Sequence, residues 1–480
     1  MKAAKRVLPT LTLLSALLFL TGCIRPRYYH VSGPPAFAVE PPAHLVFQST
    51  DKRYGTGYFR TSQAYEAYVE FNQRGALYRD AKGSPAELQQ ALELIRRCRF
   101  RAEADSPVCP EVGAPLSSQA KSITLYIFVH GWKNNASEDT NNPWGFRRFL
   151  SYAAWLHPSA PVVGIYIGWP GASLKGDLFL SFWNREPIAD VVGNASDLSM
   201  ALKRLLHEAK GELNAGDVPG TDSMDGPLAF KSADPSIAVV IGHSFGGIVL
   251  EHAATALLQG AFNTIPQSSL SQPVINVYPP ADLIVLINEA GAASIAMPFL
   301  ERLKAAGVSY RCDISGLNDQ PCPLILSMTS EGDLATKFAY PGGEFLSFNR
   351  PPTEKYPETD QWGQSSSLSY DLITAANFIA LQNYSIDKVA RAGSSCYIAV
   401  SISPKETYCM HALPNPEHPP PLARYPNTTP YWLMQLPQVF VPDHGTVFQP
   451  AFLELVNKAA QGTNHRLTLN GANLHKMQIQ

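Results

Sequence analysis

Short apolar runs alternate with amphipathic, helix-length segments through the middle of this 480-residue chain, and this alternation limits the folds open to it. Each run is almost continuously apolar, which is typical of strands covered on both faces. Segments such as "DLSMALKRLLHEAKGEL" separate the runs. The pattern predicts an α/β fold with a doubly wound, mostly parallel sheet. The runs are "SITLYIFVHG", "PVVGIYIGW", "SIAVVIGHS", "ADLIVLINEA" and "PLILSMTS".

The N-terminal residues have the composition of an export signal. Basic residues precede the apolar stretch "LTLLSALLFL", which is short for a membrane span, and "LTGC" follows it. This order resembles a bacterial lipoprotein signal. The resemblance implies a signal peptide over 1–22, lipid attachment at Cys23 and a membrane anchor in the cell envelope. By resemblance to the enterobacterial sorting pattern, Ile24 rather than Asp after the cysteine implies the outer membrane, facing the periplasm or the surface. The alternative is a secretory peptide with an incidental cysteine.

Proline-rich stretches divide the rest of the chain. Residues 23–45 contain five prolines and no periodicity, which predicts a tether between lipid and domain. Residues 121–480 are interpreted as the main domain. Within it, the stretch at about 340–437 interrupts the strand and helix rhythm with prolines and aromatic clusters, and it is predicted to be an insertion rather than a separate domain.

Residues 46–120 are interpreted as a preamble that packs on the core. "AYVEFNQRGALY" predicts a strand, a turn and a second strand. A helix is expected to follow, with Ser84 as its cap and Glu87 completing a capping box.

Charge and cysteine content exclude some functions. The net charge is −2 and no run of Lys and Arg is interleaved with aromatic residues, so we expect no nucleic-acid partner. Besides Cys23 there are six cysteines in three near-neighbour couples. Sequence leaves their pairing open, but an oxidising compartment favours a disulfide within each couple, each contributing about 2 to 3 kcal/mol. No Cys-x-x-Cys or matching His spacing suggests a metal site. The couples are Cys98 and Cys109, Cys312 and Cys322, and Cys396 and Cys409.

The pentapeptide Gly-His-Ser-Phe-Gly lies between the apolar run "IAVV" and a helical segment. In a strand, turn and helix context, flanking glycines permit the close backbone contacts of a nucleophile elbow. Ser244 is therefore predicted to be a nucleophile at a helix N-terminus, where unpaired N–H groups favour negative charge. The alternative is an idle serine in a glycine turn.

A serine nucleophile needs a base, and the base is usually held by a carboxylate. His444 is predicted to be the base because it stands in a small loop between an apolar run and the last helix; His411 and His418 are the alternatives. Asp333 is predicted to be the acid because it follows a buried strand, with Glu331 in the same loop as its rival.

Other roles for these carboxylates stay open. Asp333 could instead cap the helix that begins at "LATKF". Asp282 and Glu289 bracket the preceding strand, and Asp443 is expected to form a turn. For the oxyanion of a tetrahedral intermediate, the backbone N–H groups of Trp132, in the "HGW" after a strand, and Phe245 are predicted to be the donors.

Ser244, Asp333 and His444 in this chain order, with "HGW" ahead of the elbow, resemble the α/β-hydrolase superfamily and its lipases and carboxylesterases. The resemblance covers about 120–335 well and 436–458 in part. It implies an α/β-hydrolase fold and a serine hydrolase for an ester or lipid-like substrate, without cofactor or metal. Lipase, phospholipase and thioesterase activities stay open. The alternative from another class is a non-enzymatic binding or scaffold module on the same fold.

Overall fold

The computed structural model describes the chain in segments. The predicted signal peptide and Cys23 lie outside them, as does nearly all of the tether. Within these segments, no helix combines the length and the apolar character needed to cross a bilayer. The described residues are 29, 38–39, 64–104, 106–137, 141–172, 182–210, 236–263, 275–277, 279–314, 317–346, 371–378, 381–389, 396–403, 406–413, 429–461 and 463–469.

The described strands form a large central sheet and two small antiparallel sheets. In chain order they are β1 (Ala38–Val39), β2 (Ala64–Glu70), β3 (Thr124–Val129), β4 (Val162–Gly168), β5 (Ile237–His243), β6 (Ile275–Val277), β7 (Leu283–Ile287), β8 (Ser309–Ile314), β9 (Leu317–Pro321), β10 (Ile325–Ser330), β11 (Tyr384–Val389), β12 (Ile398–Ser403), β13 (Glu406–Ala412), β14 (Tyr431–Leu436) and β15 (Thr463–Leu469).

The central sheet has the order β1-β2-β4-β3-β5-β7-β10-β14. The seven strands from β2 to β14 are parallel, and β1 pairs with β2 antiparallel. The small sheets have the orders β11-β13-β12 and β6-β15-β8-β9. The prediction of an α/β fold with a mostly parallel sheet is confirmed.

Helices cover both faces of the central sheet. They are α1 (Ala86–Arg99), α2 (Asn141–Leu156), α3 (Phe182–Gly193), α4 (Ser196–Lys210), α5 (Phe245–Asn263), α6 (Ala293–Ala305), α7 (Tyr340–Leu346) and α8 (Pro450–Ala460). One core joins the sheet to α1, α3, α4, α5 and α6, and the other joins it to α2, α8 and the β11-β13-β12 sheet. Every residue of β3 is buried, with Ile127 in one core and Phe128 in the other. A strand buried on both faces must be apolar at every position, which explains the continuous apolar runs.

The N-terminal region departs from its prediction. Residues 46–120 supply β2, which pairs in parallel with β4, so this region is part of the sheet rather than only packed on it. The expected second strand is reduced to one bridge between Phe71 and Leu77. The predicted capping box is wrong: the Glu87 carboxylate accepts a hydrogen bond from the Glu70 backbone N–H at 2.7 Å, because burial against β2 draws it away from the helix end.

The insertion at about 340–437 ends earlier than its prediction. Its last part, Tyr431–Leu436, is β14, which pairs in parallel with β10 at the edge of the central sheet. Its middle part forms the β11-β13-β12 sheet, and the ring of Tyr384 stacks on that of Trp432 at a centroid distance of 3.7 Å. The aromatic residues there are core residues, because the small sheet covers the end of the large one.

The six cysteines pair within their couples, as predicted. Cys98 is bonded to Cys109, Cys312 to Cys322 and Cys396 to Cys409, with sequence separations of 11, 10 and 13. The first disulfide links the end of α1 to the loop that follows it. The second closes the β8 and β9 hairpin, and the third joins the residues just before β12 to β13.

The strand order places a crevice beside β3. The chain passes from β3 to β4 on one side of it, and then returns to β5 on the other side. Where connections diverge in this way, the loops after two neighbouring strands leave a crevice at their carboxyl ends. Gly131 follows β3 and Ser244 follows β5, so both lie at this crevice.

Candidate active site

Ser244 occupies the turn between β5 and α5. Its backbone φ is +56°, in the left-handed region that non-glycine residues adopt rarely and at a cost of about 1 to 3 kcal/mol. The turn is held by hydrogen bonds from the Ser244 N–H to the Ile287 carbonyl at 3.2 Å and from the Gly247 N–H to the Ser244 carbonyl at 2.8 Å. Tertiary contacts thus stabilise a strained residue at a helix N-terminus, as a nucleophile elbow requires.

Two glycines allow the loop after β3 to approach this turn. A Cβ atom on Gly131 would lie 2.6 Å from the Cβ of Ser244, and one on Gly246 would lie 2.3 Å from the Val129 carbonyl oxygen. Both distances are too short for real atoms. The backbone that follows β3 therefore passes directly beside Ser244.

Three side chains meet at this edge of the sheet. The His444 Nε2 atom lies 2.8 Å from the Ser244 Oγ atom, and its Nδ1 atom lies 3.0 Å from both carboxylate oxygens of Asp333. A carboxylate only accepts hydrogen bonds, so Nδ1 carries the proton and Nε2 is left to accept one from the Ser244 hydroxyl. The structure thus brings together the residues predicted as nucleophile, base and acid.

Asp333 is fully buried and well supplied with hydrogen-bond donors. Besides His444, its carboxylate accepts hydrogen bonds from the N–H groups of Ala335 and Thr336 and from the Thr336 hydroxyl. Burial by itself raises the pKa of Asp333, but the hydrogen bonds from His444 and Thr336 outweigh it and leave the pKa below its usual range. Asp333 therefore stays ionised, and the capping role considered as an alternative coexists with the contact to His444.

The residues considered as alternatives for the base and the acid lie elsewhere or make other contacts. His411 belongs to β13, where its Nε2 atom lies 2.9 Å from Ser385 Oγ, and His418 lies outside the described residues. Glu331 is exposed. The other carboxylates considered lie elsewhere: Asp282 pairs with Lys210, Glu289 is buried beside Glu251, and Asp443 accepts hydrogen bonds from the Gly445 and Thr446 N–H groups and forms a turn as expected.

Two further histidines lie close to Ser244 but are held neutral. Burial lowers the pKa of His130 to about 4 and, together with the neighbouring His444, lowers that of His243 to about 3. His130 is also fixed between strands, because its Nε2 atom accepts a hydrogen bond from the Trp169 N–H at 3.0 Å. A histidine with so low a pKa is a poor proton acceptor near neutral pH.

The residues predicted as oxyanion donors both lie at the crevice. Trp132 is in the loop beside Ser244, and Phe245 is the first residue of α5. Their rings are 6.0 Å apart, and the Phe182 ring lies 5.8 Å from that of Trp132 and 5.3 Å from that of Phe245. These three rings thus form an aromatic cluster next to Ser244. Assignment of the two N–H groups to an oxyanion remains a prediction.

Sequence reasoning missed residues that hold the His444 loop. The backbone carbonyl of His444 accepts hydrogen bonds from His243 Nε2 at 2.7 Å and Asn288 Nδ2 at 3.2 Å. The Ser330 hydroxyl donates to the Val441 carbonyl. Each of these polar residues ends or directly follows an apolar run, and that position was the available signal in the sequence.

Two buried carboxyl groups, those of Glu251 and Glu289, lie next to each other at helix α5. Glu251 of α5 accepts a hydrogen bond from the Tyr431 hydroxyl at 2.6 Å, and Glu289 follows β7. Burial, reinforced by the adjacent Glu251 charge, raises the pKa of Glu289 well above its usual value. The folded protein therefore holds a proton that the unfolded chain releases at ordinary carboxyl pH.

The raised pKa of Glu289 predicts how the free energy of unfolding changes with pH. Stability contributed by a raised carboxyl pKa is complete below the unfolded value of 4.5 and is lost as pH rises through the folded pKa. We expect Glu289→Gln, which stays neutral at the same size, to remove a decline in the free energy of unfolding of up to about 1.4 kcal/mol per pH unit. Denaturant unfolding between about pH 5 and 9 measures it. Glu331→Gln, on the surface, is the control; an equal slope in Glu289→Gln and wild type would contradict the assignment.

The described residues contain no group of three or more His, Cys, Asp and Glu side chains that could hold a metal ion. The fold and the site together define an α/β protein with a Ser, His and Asp constellation at the carboxyl edge of its parallel sheet. No protein-family model matches the chain, and comparisons with curated proteins and with solved structures give no match either.

Proposed function

We propose that the protein is a serine hydrolase of the α/β-hydrolase superfamily that cleaves carboxylic esters through an acyl-enzyme. One observation carries the proposal: the His444 ring bridges the Ser244 hydroxyl at 2.8 Å and the ionised Asp333 at 3.0 Å. The strained backbone of Ser244 adds to it, because an idle serine gains nothing from a left-handed conformation.

The chemistry follows from these contacts. His444 Nε2 takes the hydroxyl proton of Ser244 as Oγ attacks the ester carbonyl, and Asp333 stabilises the imidazolium that forms. The Trp132 and Phe245 N–H groups are assigned to the oxyanion, each contributing about 3 to 4 kcal/mol in the transition state. His444 then returns its proton to the departing alcohol. Water then attacks the acyl carbon as His444 takes its proton, and His444 gives that proton to Ser244 Oγ as the acid is released, which restores the serine.

The surroundings of the serine favour an ester with an apolar portion. The ring of Phe182 packs against Trp132 and Phe245 next to the nucleophile. Directly after Asp333 in the chain, Leu334 and Phe338 expose 64% and 70% of their surface and offer apolar area to a substrate. We therefore propose an ester or lipid-like substrate whose acyl or alcohol group lies against these residues.

We place this activity in the bacterial cell envelope, lipid-anchored through Cys23 at the outer membrane. The basis of this location is "LTGC" after the apolar stretch, which resembles a bacterial lipoprotein signal. The three disulfides agree with it, because disulfides persist in oxidising compartments and are rare in the cytosol.

Labelling by a fluorophosphonate tests the proposal directly. We expect the purified protein to be labelled in proportion to its hydrolysis of p-nitrophenyl esters, because a fluorophosphonate reacts only with an activated serine. Ser244→Ala should abolish both signals. Ser151→Ala, on helix α2, where the hydroxyl donates to the Arg147 carbonyl, should retain both. Labelling that persists in Ser244→Ala would refute the assignment, and a wild type that is neither labelled nor active would favour the binding or scaffold module.

A further inference from the structure

We propose that His243 and Asn288 are positioning residues. They hold the backbone carbonyl of His444 and thereby fix the position of the His444 ring relative to Ser244 and Asp333. The proposal rests on the serine hydrolase function proposed above, because it assigns a purpose to contacts made by the base of that mechanism. It concerns neither the nucleophile nor the acid.

Side chains from three neighbouring strand ends hold the loop that carries His444. His243 ends β5, Asn288 follows β7, and Ser330 ends β10. They donate hydrogen bonds to the backbone carbonyls of residues 441, 443 and 444. The loop is thereby bound to the same sheet edge that carries the serine and the acid.

His243 makes this contact with its Nε2 atom protonated. Its Nε2 atom faces a carbonyl at 2.7 Å, and a carbonyl cannot donate, so Nε2 carries the proton. Its Nδ1 atom is buried and has no hydrogen-bond partner among the described residues. His243 thus acts as a neutral donor with a fixed ring, next to but distinct from the base.

Asn288 is itself held on three sides. It is fully buried, its backbone N–H donates to the Met328 carbonyl at 2.8 Å, and its Oδ1 atom accepts the Ser330 N–H at 2.9 Å. Its Nδ2 atom then bridges the Asp443 and His444 carbonyls at 3.1 and 3.2 Å. Its φ of +48° is one that Asn tolerates better than most residues. Because Asn288 is fixed in this way, its amide holds the His444 loop at a set position relative to β7 and β10.

The chain offers a matched control for Asn288. Asn383 is also buried, and it makes the same two kinds of contact, donating to the Tyr431 carbonyl at 2.9 Å and accepting the Leu433 N–H at 2.8 Å. Its partners belong to β14 rather than to the His444 loop. Asn288→Asp removes a buried amide donor to two carbonyls, and Asn383→Asp removes a buried amide donor to one.

The experiment compares kcat, KM and the downfield proton resonance of His444 Nδ1–H in wild type, Asn288→Asp and Asn383→Asp. We expect Asn288→Asp to lower kcat about 10- to 100-fold with KM within about twofold, because small misplacement of a catalytic group costs that much. The resonance should broaden or vanish in Asn288→Asp alone. Equal effects of the two substitutions on kcat and on the resonance would overturn the proposal.

A second pair of variants, at His243, tests the proposal if Asn288→Asp does not fold. His243→Gln keeps an N–H donor at a similar reach and should retain most of kcat, whereas His243→Leu should lose it. Equal kcat and resonance in these two variants would overturn the role of His243. If the wild type is inert towards esters and fluorophosphonate, the proposed function fails. The His444 Nδ1–H resonance then tests the positioning role by itself: its loss in Asn288→Asp supports that role, and its retention overturns that role.

Discussion

Replacement of His444 by alanine is expected to lower kcat for ester hydrolysis by about 10⁴- to 10⁶-fold, because removing one member of a cooperating triad costs nearly as much as removing all of it. Neither neighbouring histidine can substitute for it. His130 and His243 are buried with pKa values of about 4 and about 3, and the His243 Nε2 proton is engaged by the His444 carbonyl. Steady-state kinetics with p-nitrophenyl esters, with thermal unfolding to verify the fold, measure the effect.

His411→Ala is the matched control. This histidine lies in the β11-β13-β12 sheet, within hydrogen-bond distance of Ser385, and its removal should leave kcat within about twofold. A His444→Ala protein that folds and keeps more than about a tenth of the wild-type kcat would show that the base is another group.

Asp333→Asn should lower kcat by about 10⁴-fold with little loss of stability. The amide keeps an oxygen for the Ala335 and Thr336 N–H groups, so the helical turn after it stays capped. It carries no charge to stabilise the imidazolium of His444 and no longer fixes the tautomer with the proton on Nδ1. Kinetics of ester hydrolysis and the melting temperature, measured on the same preparation, separate the two effects.

Glu331→Gln provides the contrast within the same loop. Glu331 is exposed, so its substitution should change kcat by less than about twofold. A large loss in Glu331→Gln together with an active Asp333→Asn would reverse the assignment of the acid, which the sequence had left between these two carboxylates.

Local signals predicted most of the framework. The apolar run before Ser244 and the helical segment after it were recognisable because a doubly covered strand and an amphipathic helix impose different periodicities. The local disulfides were also accessible, since each closes a loop of only 10 to 13 residues. Glu87 shows where local reasoning failed: its capping signal was overridden by the backbone N–H of Glu70, a contact that depends on how α1 packs on β2.

The sequence by itself determined the alternation of strands and helices, the elbow at Ser244 and a short set of candidate bases and acids, because these depend on neighbouring residues. The tertiary structure decided which of them meet. The His444 ring contacts residues that are 111 and 200 positions away in the chain, and its carbonyl is held by His243 and Asn288 from two other strand ends. Such contacts depend on the order and register of parallel strands, which no single segment of sequence contains.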